Sequence, residues 1–332
     1  MSIVGIIANP LSGKDIRRLV SKSRLIPNQE KINIITRILS GLESTGVKDV
    51  LFMPDRSNIS KTAAENHNGN INSHFLEMSI FDNQIDTTTA VSKMIEQNVK
   101  AIIVLGGDGT SRAAVKAIDS TPIMPISTGT NNVFPYLIEG TLAGIATGCV
   151  AIDYPSSIDF APQHKILEVD LNSTKKDIAL VDIAISHQTF VGARAIWDIN
   201  SVSELFLTFA NPASIGLSSI GGMVHPILRT ESKGMRIELE SKNPNLFVKA
   251  PITPGEIFNV GISTHELMIP DNKYRVRPKS CTIALDGERT IPVNELDQIE
   301  ISLRLNGPNV INPFKTLQEY SKSGHFSDLL SL

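Results

Sequence analysis

The chain has 332 residues, 31 Lys and Arg against 34 Asp and Glu, and a net charge of −3, so it is long enough for two ordinary domains and has no basic excess for nucleic acid or an anionic membrane. Its two cysteines, Cys149 and Cys281, lie far apart and outside any C-x-x-C spacing, which excludes a disulfide scaffold or zinc knuckle and fits a reducing, cytoplasmic setting. The first residues lack the basic region of a secretory signal. The nearest candidate for a membrane span, residues 137–152, is short, carries Glu139 and reads as a packed helix.

In chain order, residues 2–8 read as a strand, and Ile35, Ile38, Leu39 and Leu42 follow at helical spacing. Residues 50–53 read as a strand, 66–72 as a polar loop, 75–78 as a short strand, and 89–97 as a helix capped by Asp86. Ile102, Ile103, Val104 and Leu105 form an unbroken apolar run, as expected of a central parallel strand, with a helix at 111–118, a strand at 123–126 and a helix at 141–150. This alternation predicts an α/β domain with a mainly parallel sheet covered on both faces and ligands at the carboxyl ends of its strands. From about residue 153 strands dominate, at 166–171, 178–185, 235–239, 258–263 and 282–285, with one helix near 203–209, a Gly- and Ser-rich loop at 216–222 and a final helix at 313–323. The expected division is a nucleotide-binding domain over 1–152, a β-rich, sandwich-like substrate domain over 153–310, and a helical segment over 311–332 that packs back on the first domain.

Three loops converge at the strand ends: Asn9 to Gly13, Gly106-Gly107-Asp108-Gly109-Thr110, and Ser127-Thr128-Gly129-Thr130-Asn131-Asn132. All are rich in small donors that permit close backbone approach to phosphates, and glycines at a strand-to-helix turn allow positive φ. Asp108 makes the second loop more than a cradle. A carboxylate about 4 Å from a phosphate charge is repelled by roughly 4 kcal/mol at an effective dielectric near 20, so it needs a bound Mg²⁺ or a role facing an acceptor hydroxyl as general base. Lys14 lacks the spacing of a P-loop lysine and reads as solvated. The seven histidines show no metal-ligand spacing, and Arg194 and Trp197 are candidates for acceptor contact.

With these residues in view, the chain resembles the NAD kinase and diacylglycerol kinase superfamily, and within it the acetoin-catabolism X branch, described as ATP-NAD kinase-like. The resemblance rests on residues 5–15, on the loop from Val104 to Arg112, on residues 125–135, on Phe190-Val191-Gly192-Ala193-Arg194 and on Asp286-Gly287-Glu288. It implies a Rossmann-like N-terminal domain, a β-rich C-terminal domain and a cleft between them where ATP or polyphosphate donates a phosphoryl group. Asp108 then resembles the catalytic acid that accepts a hydroxyl proton, while Gly106, Gly107, Gly109 and Thr110 line the phosphates. Asn9 and Gly13 resemble the first-strand nucleotide loop. Thr128, Gly129, Thr130, Asn131 and Asn132 form the segment that also meets nucleotide, and Asp286 with Glu288 resembles an acidic pair for Mg²⁺. NAD is the leading acceptor, with Asp182 matching one member of the ribose-binding pair and Val181 standing where an Asn is usual. A small-molecule substrate and a homo-oligomer are expected. The alternatives are a lipid or polyol kinase, and a catalytically silent nucleotide-binding regulator linked to acetoin catabolism.

Overall fold

The computed structural model describes residues 2–13, 26–129, 132–187, 199–276, 280–287 and 289–327. Strands β1 (Ile3–Ala8), β2 (Asp49–Phe52), β3 (Asn72–Phe75), β4 (Ala101–Gly106) and β5 (Ile123–Ser127) pair in parallel in the order β3-β2-β1-β4-β5. Side chains alternate between the faces of a strand, so Val4, Ile6 and Ala8 join Ala101, Ile103 and Leu105 in one apolar cluster, while Ile7, Ile102 and Val104 enter another. Helices cover both faces. Helices α1 (Asn28–Ser44), α2 (Ile59–Asn66) and α5 (Gly140–Ile152) pack on the first, and α3 (Gln84–Glu96) and α4 (Asp108–Val115) on the second. The chain leaves β1 towards β2 and β3, then returns to lay β4 on the other side. The chain after β1 and after β4 therefore runs to opposite faces of the sheet, a reversal at whose carboxyl edge open α/β sheets bind ligands.

The remaining chain builds two antiparallel sheets. One has seven strands in the order β11-β12-β10-β9-β8-β14-β15, from β8 (Asp182–Ser186), β9 (Val202–Leu207), β10 (Gly234–Leu239), β11 (Leu246–Thr253), β12 (Glu256–Met268), β14 (Cys281–Leu285) and β15 (Arg289–Val293). The other has four in the order β13-β16-β6-β7, from β6 (Ile166–Leu171), β7 (Thr174–Ala179), β13 (Lys273–Val276) and β16 (Ile299–Arg304). Leu167, Val169, Ile301 and Leu303 of the second sheet meet Ile183, Phe206, Ile283 and Leu285 of the first in a shared core. A different cluster spans both regions, joining Ile7 and Val104 to Ile166, Ile178, Val181 and Phe209. Helix α7 (Pro313–Lys322) returns to the first region, where the Tyr320 hydroxyl donates to Cys149 O at 3.1 Å and to Asp153 at 2.6 Å. Among the described residues, no helix is long and apolar enough to cross a membrane.

Several expectations are corrected. The helix expected near 203–209 is strand β9, hydrogen-bonded on both sides by β8 and β10, so ladder pairing overrides the local pattern. The strand expected over 178–185 is two strands, because the chain changes sheets at Leu180 and Val181. The loop at 216–222 contains α6 (Ser218–Val224), and the strand expected at 75–78 lies at Asn72–Phe75. Asp86 is not the cap itself: Asn83 caps α3 and Asp86, three residues later, closes a capping box.

Helices α1 and α5 approach so closely that a Cβ on Gly41 would lie 2.3 Å from Thr141 O, and one on Gly144 would lie 2.3 Å from Ile38 O. Gly41→Val is therefore expected to push these helices apart and cost about 1–3 kcal/mol, the usual cost of overpacking. Thermal denaturation showing an unchanged midpoint would sink that account.

Candidate active site

The three loops are laced together by their own side chains. Asn9 Nδ2 donates to Thr110 Oγ1 at 2.9 Å, Ser12 Oγ and Thr128 Oγ1 share a bond at 2.9 Å, and Thr128 N donates to Gly106 O at 3.0 Å. Asn132 Nδ2 donates to Ser127 Oγ at 2.8 Å, bracing the third loop across Gly129. Gly13 sits at φ +75°, and a Cβ there would lie 2.9 Å from Thr128 O, so only glycine suits the position. Gly106, Gly107 and Gly109 differ from expectation, since none has positive φ and Gly107 lies at −101°. Gly106 is needed for packing: its missing side chain makes room for Thr110, whose Cβ would be 2.4 Å from an added Cβ. Thr128 is completely buried, and its hydroxyl joins the first and third loops through Ser12.

Asp108 is the first residue of α4, where the helix dipole favours a negative charge. Its side chain is buried, and Oδ1 accepts from Phe134 N at 2.8 Å and Val133 N at 3.1 Å, while Oδ2 also accepts from Val133 N at 3.1 Å. The carboxylate is thus fixed between the glycine loop and the segment after Asn132. These amide hydrogen bonds set the orientation of the carboxylate plane.

Asp286, expected in an acidic pair for Mg²⁺, is buried, and its carboxylate accepts from Leu180 N, Val181 N and Asp182 N at 2.8–3.3 Å. Burial raises its pKa above the usual carboxylate range, with Arg112 and the three amides pulling the other way. Asp286 and Gly287 adopt left-handed backbone at φ 49° and 66°, forming the turn between β14 and β15. Among the described residues, no group of three or more His, Cys, Asp and Glu side chains is placed to hold a metal ion. The fully buried Arg112 of α4 donates from Nη1 to Leu285 O at 2.9 Å, joining the glycine-loop helix to this turn. Asp182 begins β8 as a buried residue, and the Val181 side chain lies in the shared apolar cluster, so the ribose-binding position expected at 180–183 is part of the core. Lys14, Thr130, Asn131, the 190–194 motif, Trp197 and Glu288 lie outside the described residues.

Three cations that organise the site carry no sequence motif. Lys31 of α1 is wholly buried, and its Nζ donates to Asn9 O, Pro10 O and Ser12 O at 2.8–3.1 Å, drawing the first loop's carbonyls onto one ammonium. Arg229 donates from Nη1 to Phe134 O at 2.7 Å and from Nη2 to Val133 O. Lys165 donates to Leu228 O at 3.0 Å and Lys233 O at 2.5 Å, and burial brings its pKa down to about 8. Beside it, burial and the charges of Arg229 and Lys165 hold the His164 imidazole at about 3, so it is neutral at pH 7. One signal was legible for Lys31 alone: a lysine among the apolar positions of an amphipathic helix.

Residues 4–154 match the family model described as the ATP-NAD kinase N-terminal domain, and residues 165–306 match the acetoin catabolism protein X C-terminal domain. The acetoin catabolism protein X of Cupriavidus necator is 37% identical over 313 residues, which cover 91% of this chain and 87% of that protein. A diacylglycerol kinase structure from Bacillus anthracis str. Sterne aligns over 94% of this chain and 97% of its own, at 15% identity and a TM-score of 0.41, a likeness too low to carry further argument.

Val181→Asn would place an amide among Ile178, Phe209 and their apolar neighbours, and is expected to lower stability by about 1–3 kcal/mol without raising affinity for NAD. Chemical denaturation and calorimetric titration of the same variant check both halves. A second expectation concerns acid. Between pH 6.5 and about 3 the unfolded chain binds a proton at His164 that the folded chain refuses, so this group's contribution is full above pH 6.5 and declines as pH falls, by at most about 1.4 kcal/mol per unit. His164→Asn should flatten the loss of stability between pH 6.5 and 4, and equal slopes in parent and variant would remove His164 from the explanation.

Proposed function

The chain belongs to the acetoin catabolism protein X family, and from that premise we propose that it is an ATP-dependent kinase, with polyphosphate as the alternative donor, acting on a hydroxyl of a small molecule. The observation that carries this reading is Asp108 held by amides at the start of α4, at the carboxyl edge of the sheet where the loops after β1, β4 and β5 are laced together. Phosphoryl transfer asks a protein mainly for positioning and charge stabilisation. The small-residue loops leave room for phosphate beside the backbone, and the amide end of α4 favours the added negative charge. Lys31 contributes a buried positive charge directly beneath the first loop. Asp108, oriented by the 133–134 amides, accepts the proton as the acceptor oxygen attacks phosphorus and the bond to the leaving phosphate breaks. Asp286 serves this reading by fixing the segment that enters β8, and no step is assigned to a metal held by it.

NAD is the first acceptor to assay because the N-terminal domain matches the ATP-NAD kinase model, although the 180–183 segment is buried. A second reading, a nucleotide-binding regulator without turnover, is favoured by the engagement of both Asp108 oxygens with amides. Incubation with γ-labelled ATP and a panel of NAD, polyols and diacylglycerol separates the readings, since label appearing in no acceptor while ATP still binds supports the regulator. With whichever acceptor is labelled, Asp108→Asn is expected to lower turnover about a hundredfold or more while the fold remains intact. A folded variant working at the parent rate would falsify the role of Asp108.

A further inference from the structure

The Val133–Phe134 dipeptide is held from two sides. Its two N–H groups donate to Asp108, and its two carbonyls accept from Arg229. Arg229 does not belong to the α/β region: it stands between α6 and β10, in the half of the chain that builds the antiparallel sheets. Three aromatic rings limit its alternatives, with the guanidinium carbon 4.5 Å from the Phe209 ring centre, 5.6 Å from Phe134 and 5.7 Å from Tyr136. The segment that carries it is pinned in turn. Lys165 grips the carbonyls of Leu228 and Lys233, and Glu231 Oε1 accepts from Leu228 N at 2.9 Å. The guanidinium also feels Asp108 directly: burial lowers its pKa, and Tyr136 and Asp108 oppose that shift.

We infer that Arg229 is a positioning residue for Asp108, aiming the carboxylate through the Val133–Phe134 dipeptide and making that aim depend on how the antiparallel region sits against the parallel sheet. Its role in transfer rests on the kinase reading above; the mechanical coupling does not. A planar guanidinium suits the task because its two terminal nitrogens take two successive carbonyls at once, which an ammonium cannot reproduce. The Val133 carbonyl and the Phe134 N–H belong to one peptide group and polarise one another, so releasing that carbonyl weakens the Phe134 amide as a donor to Asp108, and releasing both carbonyls frees both amides to move.

The test is hydrogen–deuterium exchange in the full chain, read at the Val133 and Phe134 amides for the parent, Arg229→Met and Arg229→Lys. The Met variant is expected to exchange at least tenfold faster at these two amides, the Lys variant by an intermediate factor, and the β4 amides not to change. Should the Met variant fail to fold, the Lys variant carries the same comparison. Unchanged protection at both amides in a folded variant overturns the inference, whatever the protein phosphorylates. With a labelled acceptor in hand, kcat should fall in the same order as protection while the KM for ATP stays within about twofold. Lost protection with an unchanged kcat keeps the coupling but overturns the positioning role, and leaves the role of Asp108 to its own variant.

Discussion

The bond between the Asp108 carboxylate and the amides of Val133 and Phe134 is the constraint on which the rest of the site depends. A carboxylate buried without partners costs several kcal/mol or takes up a proton, so a buried Asp108 requires hydrogen-bond donors. Backbone amides supply them. The consequence is geometric as well as electrostatic, because donors fixed in planar peptide groups determine how the carboxylate is oriented. The segment after β5 is therefore part of the acid's own setting, and Asn132 and Ser127 brace its entry.

The same solution, a buried charge satisfied by backbone, recurs around the site with both signs. Lys31 and Lys165 are buried ammonium groups whose partners include backbone carbonyls, Arg229 takes two more carbonyls, and Asp286 takes three consecutive amides. Each charge orders a stretch of irregular backbone that has no ladder of its own to satisfy its polar groups. Loops held this way keep their shape before any ligand arrives, which reduces the reorganisation that binding and transfer demand. It also explains why these residues stand far in sequence from the loops they hold: Lys31 lies in a helix and Lys165 just before a strand, the rigid elements from which a long side chain can reach.

Two contacts join the halves of the molecule at the site itself. Arg112 runs from the glycine-loop helix to the turn that carries Asp286, and Arg229 runs from the antiparallel region to the segment that holds Asp108. Behind them, the apolar cluster containing Ile7, Val104, Ile178, Val181 and Phe209 is shared by both regions. The loops are consequently backed by a continuous core, and Val181, which stands where the resembled family usually carries an Asn, is part of that packing.

What the sequence by itself determined was whatever local pattern controls. The uninterrupted run from Ile102 to Leu105 can only be covered on both faces, the periodic Ile35, Ile38, Leu39 and Leu42 define a buried helix face, and the ordered loops after β1, β4 and β5 mark the crevice at the strand ends. Tertiary structure decided whatever depends on a distant partner. Val202 to Leu207 is a strand because β8 and β10 flank it, Asp286 anchors backbone because the entry to β8 passes above it, and Thr128 is buried because Ser12 covers it. Lys165 and Arg229 were invisible as site residues, and Lys31 was marked only by its place on an apolar helix face, for the same reason: their partners are mainly peptide groups, which every residue possesses, so only the folded chain shows which carbonyls each cation meets.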